Sequence, residues 1–312
     1  MERRRRVYWA GVAALAVALV AACAGAGLPT PAASAQSGAR PNIVLVLTDD
    51  QRFDTLATMP TVEQALVARG VSFTNSFVVN SLCCPSRASL LSGQYSHSTG
   101  VYKNAPPHGG FPSFHDARTI ATVLERAGYT TGLFGKYLNL YGTSARDARY
   151  VPPGWDRWAA FLGKTSFYDY RLVDRRRIEQ HGQEPSDYST DVLARKAVSF
   201  LAHARKPFFL EFTPFAPHEP ATPPPRYAKA FERVPWTKPS SFDELNLSDK
   251  PAYMRNLAPL TQKQLEQVGR FRRHQLVRVV LLELLVGERR STRAGIDDRQ
   301  EAVCIHLIPP AR

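Results

Sequence analysis

Between Asn42 and Thr48 the chain reads Ile43-Val44-Leu45-Val46-Leu47 without a polar interruption, and then turns acidic at Asp49-Asp50. A strand with one solvated face alternates apolar and polar residues, whereas a strand covered on both faces does not. The run therefore calls for a sheet with helices on both faces, the α/β class built around parallel strands. In such sheets functional groups collect beyond the carboxyl ends of the strands, and the two aspartates stand at that end.

Alternating units follow. A helix is expected through Val62 to Arg69, closed by Gly70, with a second strand over Val71 to Val79. Arg118 to Ala127 has helical spacing at Ile120, Val123, Leu124 and Ala127 before a stop at Gly128. The strand Tyr129 to Phe134 then delivers Gly135-Lys136, and a helix over Ser189 to Ala204 leads into the strand Phe208 to Phe212 and the loop Pro214 to Pro220. Between Pro220 and Pro259 the sequence is proline-rich and aperiodic, as in long surface loops. Thr261 to Leu285 reads as a helix, but beyond Leu276 the sequence becomes arginine-rich and offers no turn or strand logic.

The 312 residues and 44% apolar content suffice for one large domain or two smaller ones. The net charge of +13 sits largely in Arg3 to Arg6 and in Arg270 to Arg293, with no recognition motif beside it, so nucleic acid is not an expected partner. Glu2 and four arginines, an apolar stretch from Val7 to Ala22 and then small residues have the layout of an export signal. The stretch is short and alanine-rich for a membrane span. Val20-Ala21-Ala22-Cys23 looks like a bacterial lipobox, which would lipidate Cys23 and leave a cell-surface lipoprotein; plain secretion after Ala33-Ser34-Ala35 and an uncleaved anchor are the rivals. We favour the lipobox because a cysteine stands just past the apolar region. Residues 24–40 are Ala, Gly, Pro and Ser rich and read as a tether. Of the four cysteines, adjacent Cys83 and Cys84 are poorly placed to bridge one another, and no zinc spacing is present.

Asp49 and Asp50 offer carboxylate oxygens to a hard cation, although calcium takes about six to eight such ligands. A charged turn after a strand is the plainer alternative. The run Cys83-Cys84-Pro85-Ser86-Arg87-Ala88-Ser89-Leu90-Leu91-Ser92-Gly93 tips the balance, because it resembles the sulfatase signature C-x-P-S-R followed by a small-residue turn. Sulfatases also place Thr-Asp-Asp at the end of an apolar run about 35 residues before that signature. The resemblance implies an alkaline-phosphatase-like fold, a central mostly parallel sheet with helices on both faces, and hydrolysis of sulfuric esters. It further implies that a maturation enzyme oxidises Cys83 to formylglycine, whose hydrate is the nucleophile, and that one Ca2+ is held by Asp49, Asp50 and residue 83.

By the same resemblance Arg87 would hold the hydrate and the metal carboxylates through its fork of donors. Lys136, in Gly135-Lys136-Tyr137-Leu138-Asn139, would face the sulfate, and His218, in Pro217-His218-Glu219-Pro220, would donate to the leaving oxygen. Many members carry histidine where this chain has Leu138. The version Gly-Lys-Tyr-Leu-Asn resembles the N-acetylglucosamine-6-sulfatase branch, which implies a sulfated amino sugar within a glycosaminoglycan or similar glycan as substrate.

The resemblance runs from about Arg40 to Leu276 and includes Tyr150 to Trp155 and Tyr188 to Leu193. Sulfatases continue with an Asp-Asn-Gly turn that supplies two more metal ligands, a second active-site lysine and a C-terminal subdomain. The expected organisation is therefore an export signal over 1–23, a tether over 24–40, an incomplete catalytic domain over 41–276 and an atypical tail over 277–312. The fold is expected to be truncated at its C-terminus. The abrupt arginine-rich tail reads as a shift of reading frame, with a divergent C-terminus as the rival, and Asp297-Asp298 follows no strand. Apolar surface left uncovered should make the product poorly soluble. Two functional classes follow: a formylglycine-dependent sulfatase, or a noncatalytic sulfatase-like glycan-binding lipoprotein. A phosphohydrolase of the same superfold is a distant third.

Overall fold

The apolar run becomes strand β1 (Asn42–Thr48), with Val44 and Val46 in one core layer and Leu45 in the other. This is the two-sided burial that its lack of alternation requires. The computed structural model describes residues 40–143, 148–236, 238–291 and 301–307. The expected signal, the tether up to residue 39, Cys23 and the pair Asp297-Asp298 lie outside the described residues.

Six more strands join β1: β2 (Thr130–Gly135), β3 (Arg157–Phe161), β4 (Tyr170–Asp174), β5 (Arg177–His181), β6 (Phe208–Thr213) and β7 (Glu301–Leu307). Their order is β5-β4-β3-β2-β6-β1-β7. From β3 across to β7 every pairing is parallel, whereas β4 and β5 form an antiparallel ribbon at the edge. Helix α1 (Cys83–Ser92) covers one face through Cys84, Ala88 and Leu91, with Ala121 of α2 (Ile120–Arg126) beside it. Helix α3 (Ser189–His203) covers the other through Val192, Leu193, Ala197 and Phe200. The mostly parallel sheet with helices on both faces is as expected. Helix α4 (Gln262–Ser291) packs near the turn after β1, where Arg272 reaches Asp54 at 2.5 Å. No helix among the described residues is long and apolar enough to cross a membrane.

Three local expectations fail. The helix through Val62 to Arg69 is a single α-turn, Pro60–Val62, continued as a π-turn over Glu63–Val67. Val71 to Val79 forms no strand despite its alternation, and Phe73 and Phe77 are 79% and 88% exposed. A strand needs a hydrogen-bonding neighbour, and both edges of β1 are already taken by β6 and β7. The tail, in which no strand was expected, supplies β7, paired from Asn42↔Glu301 to Thr48↔Leu307. The proline-rich stretch does run as loops, interrupted by the 3-10 turn Pro225–Tyr227.

Candidate active site

Because β2, β6 and β1 are parallel neighbours, their carboxyl ends lie on one edge of the sheet. Asp49-Asp50 follow β1, Lys136 follows β2, and the loop bearing His218 follows β6. Cys83 is the first residue of α1, which begins beyond an extended Leu82 that has no side chain to cap it. A tertiary contact serves instead, as the Cys84 N–H donates to Asn104 Oδ1 at 2.8 Å. The helix ends at Gly93, where φ is 69° and no Cβ penalty applies.

Asp49 is the hub. Its Oδ2 accepts from Lys136 Nζ at 2.5 Å, and its Oδ1 lies 3.7 Å from Arg87 Nη2 and 3.6 Å from Cys83 Sγ. Asp49, Arg87 and Lys136 are all at most 4% exposed. Asp50 takes a positive φ of 59°, which breaks the strand alternation that would send consecutive side chains to opposite faces. Its Oδ2 lies 3.5 Å from His218 Nε2. One ligand atom each from Asp49, Cys83 and His218 fall within 4.8 Å of one another. The structure thus brings together Asp49, Asp50, Cys83, Arg87, Lys136 and His218, and places His218 closer to the candidate ligands than sequence reasoning did.

The charges perturb one another in a definite pattern. Burial pushes the Asp49 carboxyl up, but Lys136, Arg87 and His218 outweigh it and hold the group below the usual carboxylate range. Asp50 goes the other way, raised by burial and by the neighbouring Asp49 charge. Burial also raises the Cys83 thiol, which is therefore protonated near neutral pH. Two carboxylates forced together, one resisting ionisation, form a donor set that a hard divalent cation would relieve. The residues present fit such an ion as part of its ligand shell.

Two of the site's supports come from Thr213 and Gly135. Arg87 Nη1 donates to Lys136 O at 2.7 Å and to Thr213 Oγ1 at 2.5 Å, and Thr213 Oγ1 donates to the same carbonyl. Sequence reasoning missed Thr213 and Asn104. The signal for Thr213 was available, a polar residue ending a wholly buried strand; Asn104 gave none. At Gly135, φ is 134° and an added Cβ would stand 1.8 Å from Thr213 O. Gly135→Ala should cost about 3 kcal/mol or more, read as a loss in urea-unfolding stability, because it pushes β2 off β6 beside Lys136.

His218 Nδ1 lies 2.6 Å from Glu219 O. A carbonyl can only accept, so Nδ1 carries a proton, and Nε2 is the ring atom that faces Asp50 Oδ2. The ring stacks on Phe215 at 4.6 Å between centroids, which fixes its plane.

Comparison with known proteins places the chain. The human N-acetylglucosamine-6-sulfatase is 38% identical over 207 residues, which are 62% of this chain and 37% of that protein. An extracellular sulfatase SULF-1 homolog of Drosophila melanogaster is 34% identical over 233 residues, 71% of this chain and 20% of that one. The chain therefore spans well under half the length of these curated relatives. A solved protein in complex with its substrate D-glucosamine-2-N,6-O-disulfate superposes with a TM-score of 0.56 at 23% identity, covering 83% of this chain and 56% of the other. A phosphonate monoester hydrolase of Agrobacterium radiobacter gives 0.60 at 17% identity, covering 86% and 62%. These last two likenesses establish the fold alone, an alkaline-phosphatase-like one. The sulfatase family model matches residues 41–267, a stretch that contains every residue of the cluster. On that ground the chain belongs to the sulfatase family.

Proposed function

We propose that this chain carries the catalytic part of a sulfuric ester hydrolase that removes sulfate from a 6-sulfated amino sugar in a glycan. The observation that carries the reading is Cys83 at the start of α1, within 3.6 Å of Asp49 and in the same cluster as Lys136 and Arg87. A buried, protonated thiol is a poor nucleophile, which supports reading Cys83 as the precursor that a maturation enzyme converts to formylglycine, not as the nucleophile itself. When present, the formylglycine hydrate supplies a nucleophilic oxygen, and a calcium ion held by Asp49, Asp50 and residue 83 supplies Lewis-acid stabilisation.

The chain's own side chains do the rest. The Lys136 ammonium binds a sulfate oxygen and stabilises the charge that grows there. Arg87, clamped by Thr213 and the Lys136 carbonyl, orients the Asp49 carboxylate and residue 83. His218 would act as the doubly protonated ring: it keeps Nδ1–H on Glu219 O, gives its Nε2 proton to the departing alcohol oxygen, and is left as the neutral Nδ1–H ring. The amino-sugar substrate draws support from the N-acetylglucosamine-6-sulfatase relatives. Relatives described as extracellular support export, with lipidation at Cys23, secretion after Ala35 and an uncleaved anchor as the routes.

The test is sulfate release from an aryl sulfate and from 6-sulfated N-acetylglucosamine, with calcium and after chelation. Calcium-dependent release from both is expected. Binding of the sulfated sugar without release, or release indifferent to chelation, overturns the reading.

A further inference from the structure

Strand alternation divides the β6 side chains between the two core layers: Phe208, Leu210 and Phe212 lie in the layer under α3, and Phe209 in the layer under α1. Glu211 and Thr213 follow Phe209 at two-residue steps, so they face α1 as well. Thr213 is where Arg87 Nη1 is anchored. One step back along the same face stands Glu211, a carboxyl in the centre of the sheet and 2% exposed.

The hydrogen-bonding shortfalls on that face are complementary. Among the described residues Glu211 Oε2 has no donor, and Arg87 Nε and Nη2 have no acceptor within hydrogen-bond distance. The Tyr137 hydroxyl, buried in the same layer, is likewise unsatisfied. Buried polar groups left in this condition are costly, and a leucine would fill the strand position without that cost. The charges that face Glu211 are few: Arg87 from α1 acts on it directly, and it acts in turn on Tyr137 beyond β2.

We propose that Glu211 is a positioning residue that competes with Asp49 for the Arg87 guanidinium, so that the charge on Glu211 sets how firmly Arg87 holds the catalytic end of the site. Burial pushes the Glu211 carboxyl up to about 7, with Arg87 partly offsetting it. Below that pH Glu211 is neutral and Arg87 belongs to Asp49; above it the buried carboxylate draws the guanidinium back. The folded-state value exceeds the ordinary one, so stability is highest in acid and falls as pH rises from about 4.5 through about 7.

The experiment uses the whole chain. Thermal unfolding of wild type, Glu211→Gln, Arg87→Met and the double variant is followed at pH about 5 and about 8.5. Glu211→Gln should raise Tm by about 5 °C at the higher pH and leave it unchanged at the lower. The gain should grow in the Arg87→Met background, where nothing offsets the buried charge. The same gain with and without Arg87, or at both pH values, overturns the pairing. The activity arm rests on the sulfatase reading: kcat/KM for an aryl sulfate should fall more steeply above about pH 7 in wild type than in Glu211→Gln, and Glu211→Asp should restore the wild-type fall. Identical limbs in wild type and Glu211→Gln reject the positioning role. Absence of turnover in every variant counts against the sulfatase reading, while the unfolding cycle still decides whether Glu211 and Arg87 are coupled.

Discussion

Cys83→Ala abolishes sulfate release, a loss of at least about 10³-fold in kcat, while the protein stays folded. The fold should tolerate the change because among the described residues the Cys83 side chain makes only a weak polar contact, Sγ to Asp49 Oδ1 at 3.6 Å, and alanine is an excellent helix former. The chemistry should not tolerate it, because the other thiol at the start of α1, Cys84, is packed into the core layer, and only Cys83 has its sulfur beside Asp49. Cys83→Ser makes the sharper comparison. A serine has one hydroxyl, so sulfate transferred to it has no exit except slow ester hydrolysis. A stoichiometric burst without turnover is expected from that variant, and steady turnover would count against the proposed route. Initial-rate assays on an aryl sulfate, paired with unfolding curves for both variants, separate loss of chemistry from loss of fold.

Asp49→Asn has the largest expected effect on stability, about 3–5 kcal/mol lost near neutral pH. The substitution leaves Lys136 and Arg87 buried with no carboxylate between them, and uncompensated buried charge is far more costly than an absent pair. Asp49 has a folded-state pKa below its ordinary value. Its contribution is thus present above the unfolded pKa and disappears as pH falls through the folded one. The gap between wild type and Asp49→Asn should therefore narrow in strong acid. Calcium should raise Tm in wild type by mass action and fail to do so in Asp49→Asn. Urea unfolding across pH, with and without calcium, checks both statements; an unchanged gap at every pH contradicts the account of the hub.

What the sequence shows plainly here are features written in consecutive residues. β1, β2 and β6 are buried on both faces, and their apolar runs read as strands without help. The C-x-P-S-R run singles out Cys83, which the structure places first in α1, and the loop after β6 carries His218 in a motif of its own. Features made by pairing or register stay hidden. The turn between β4 and β5 is Arg175-Arg176, both at positive φ, where Asn-Gly would have advertised a hairpin. Val71 to Val79 has the alternation of a strand and lacks a neighbour, so pattern alone misleads. Thr213 and Glu211 acquire their roles because β6 carries them onto the α1 face opposite Arg87, a fact of register that spacing along the chain does not reveal. Asn104 reaches Cys84 N across a loop, with nothing in its own neighbourhood to announce it.

The central claim is that residue 83 becomes an aldehyde and that the site works through it. The direct measurement is the mass of the proteolytic peptide spanning Cys83, from protein made in a host that supplies a formylglycine-generating enzyme, alongside a sulfate-release assay on the same preparation. The account predicts that the side chain CH2–SH is replaced by CHO and that release scales with the converted fraction. Sulfate release from protein whose Cys83 thiol is intact would contradict it.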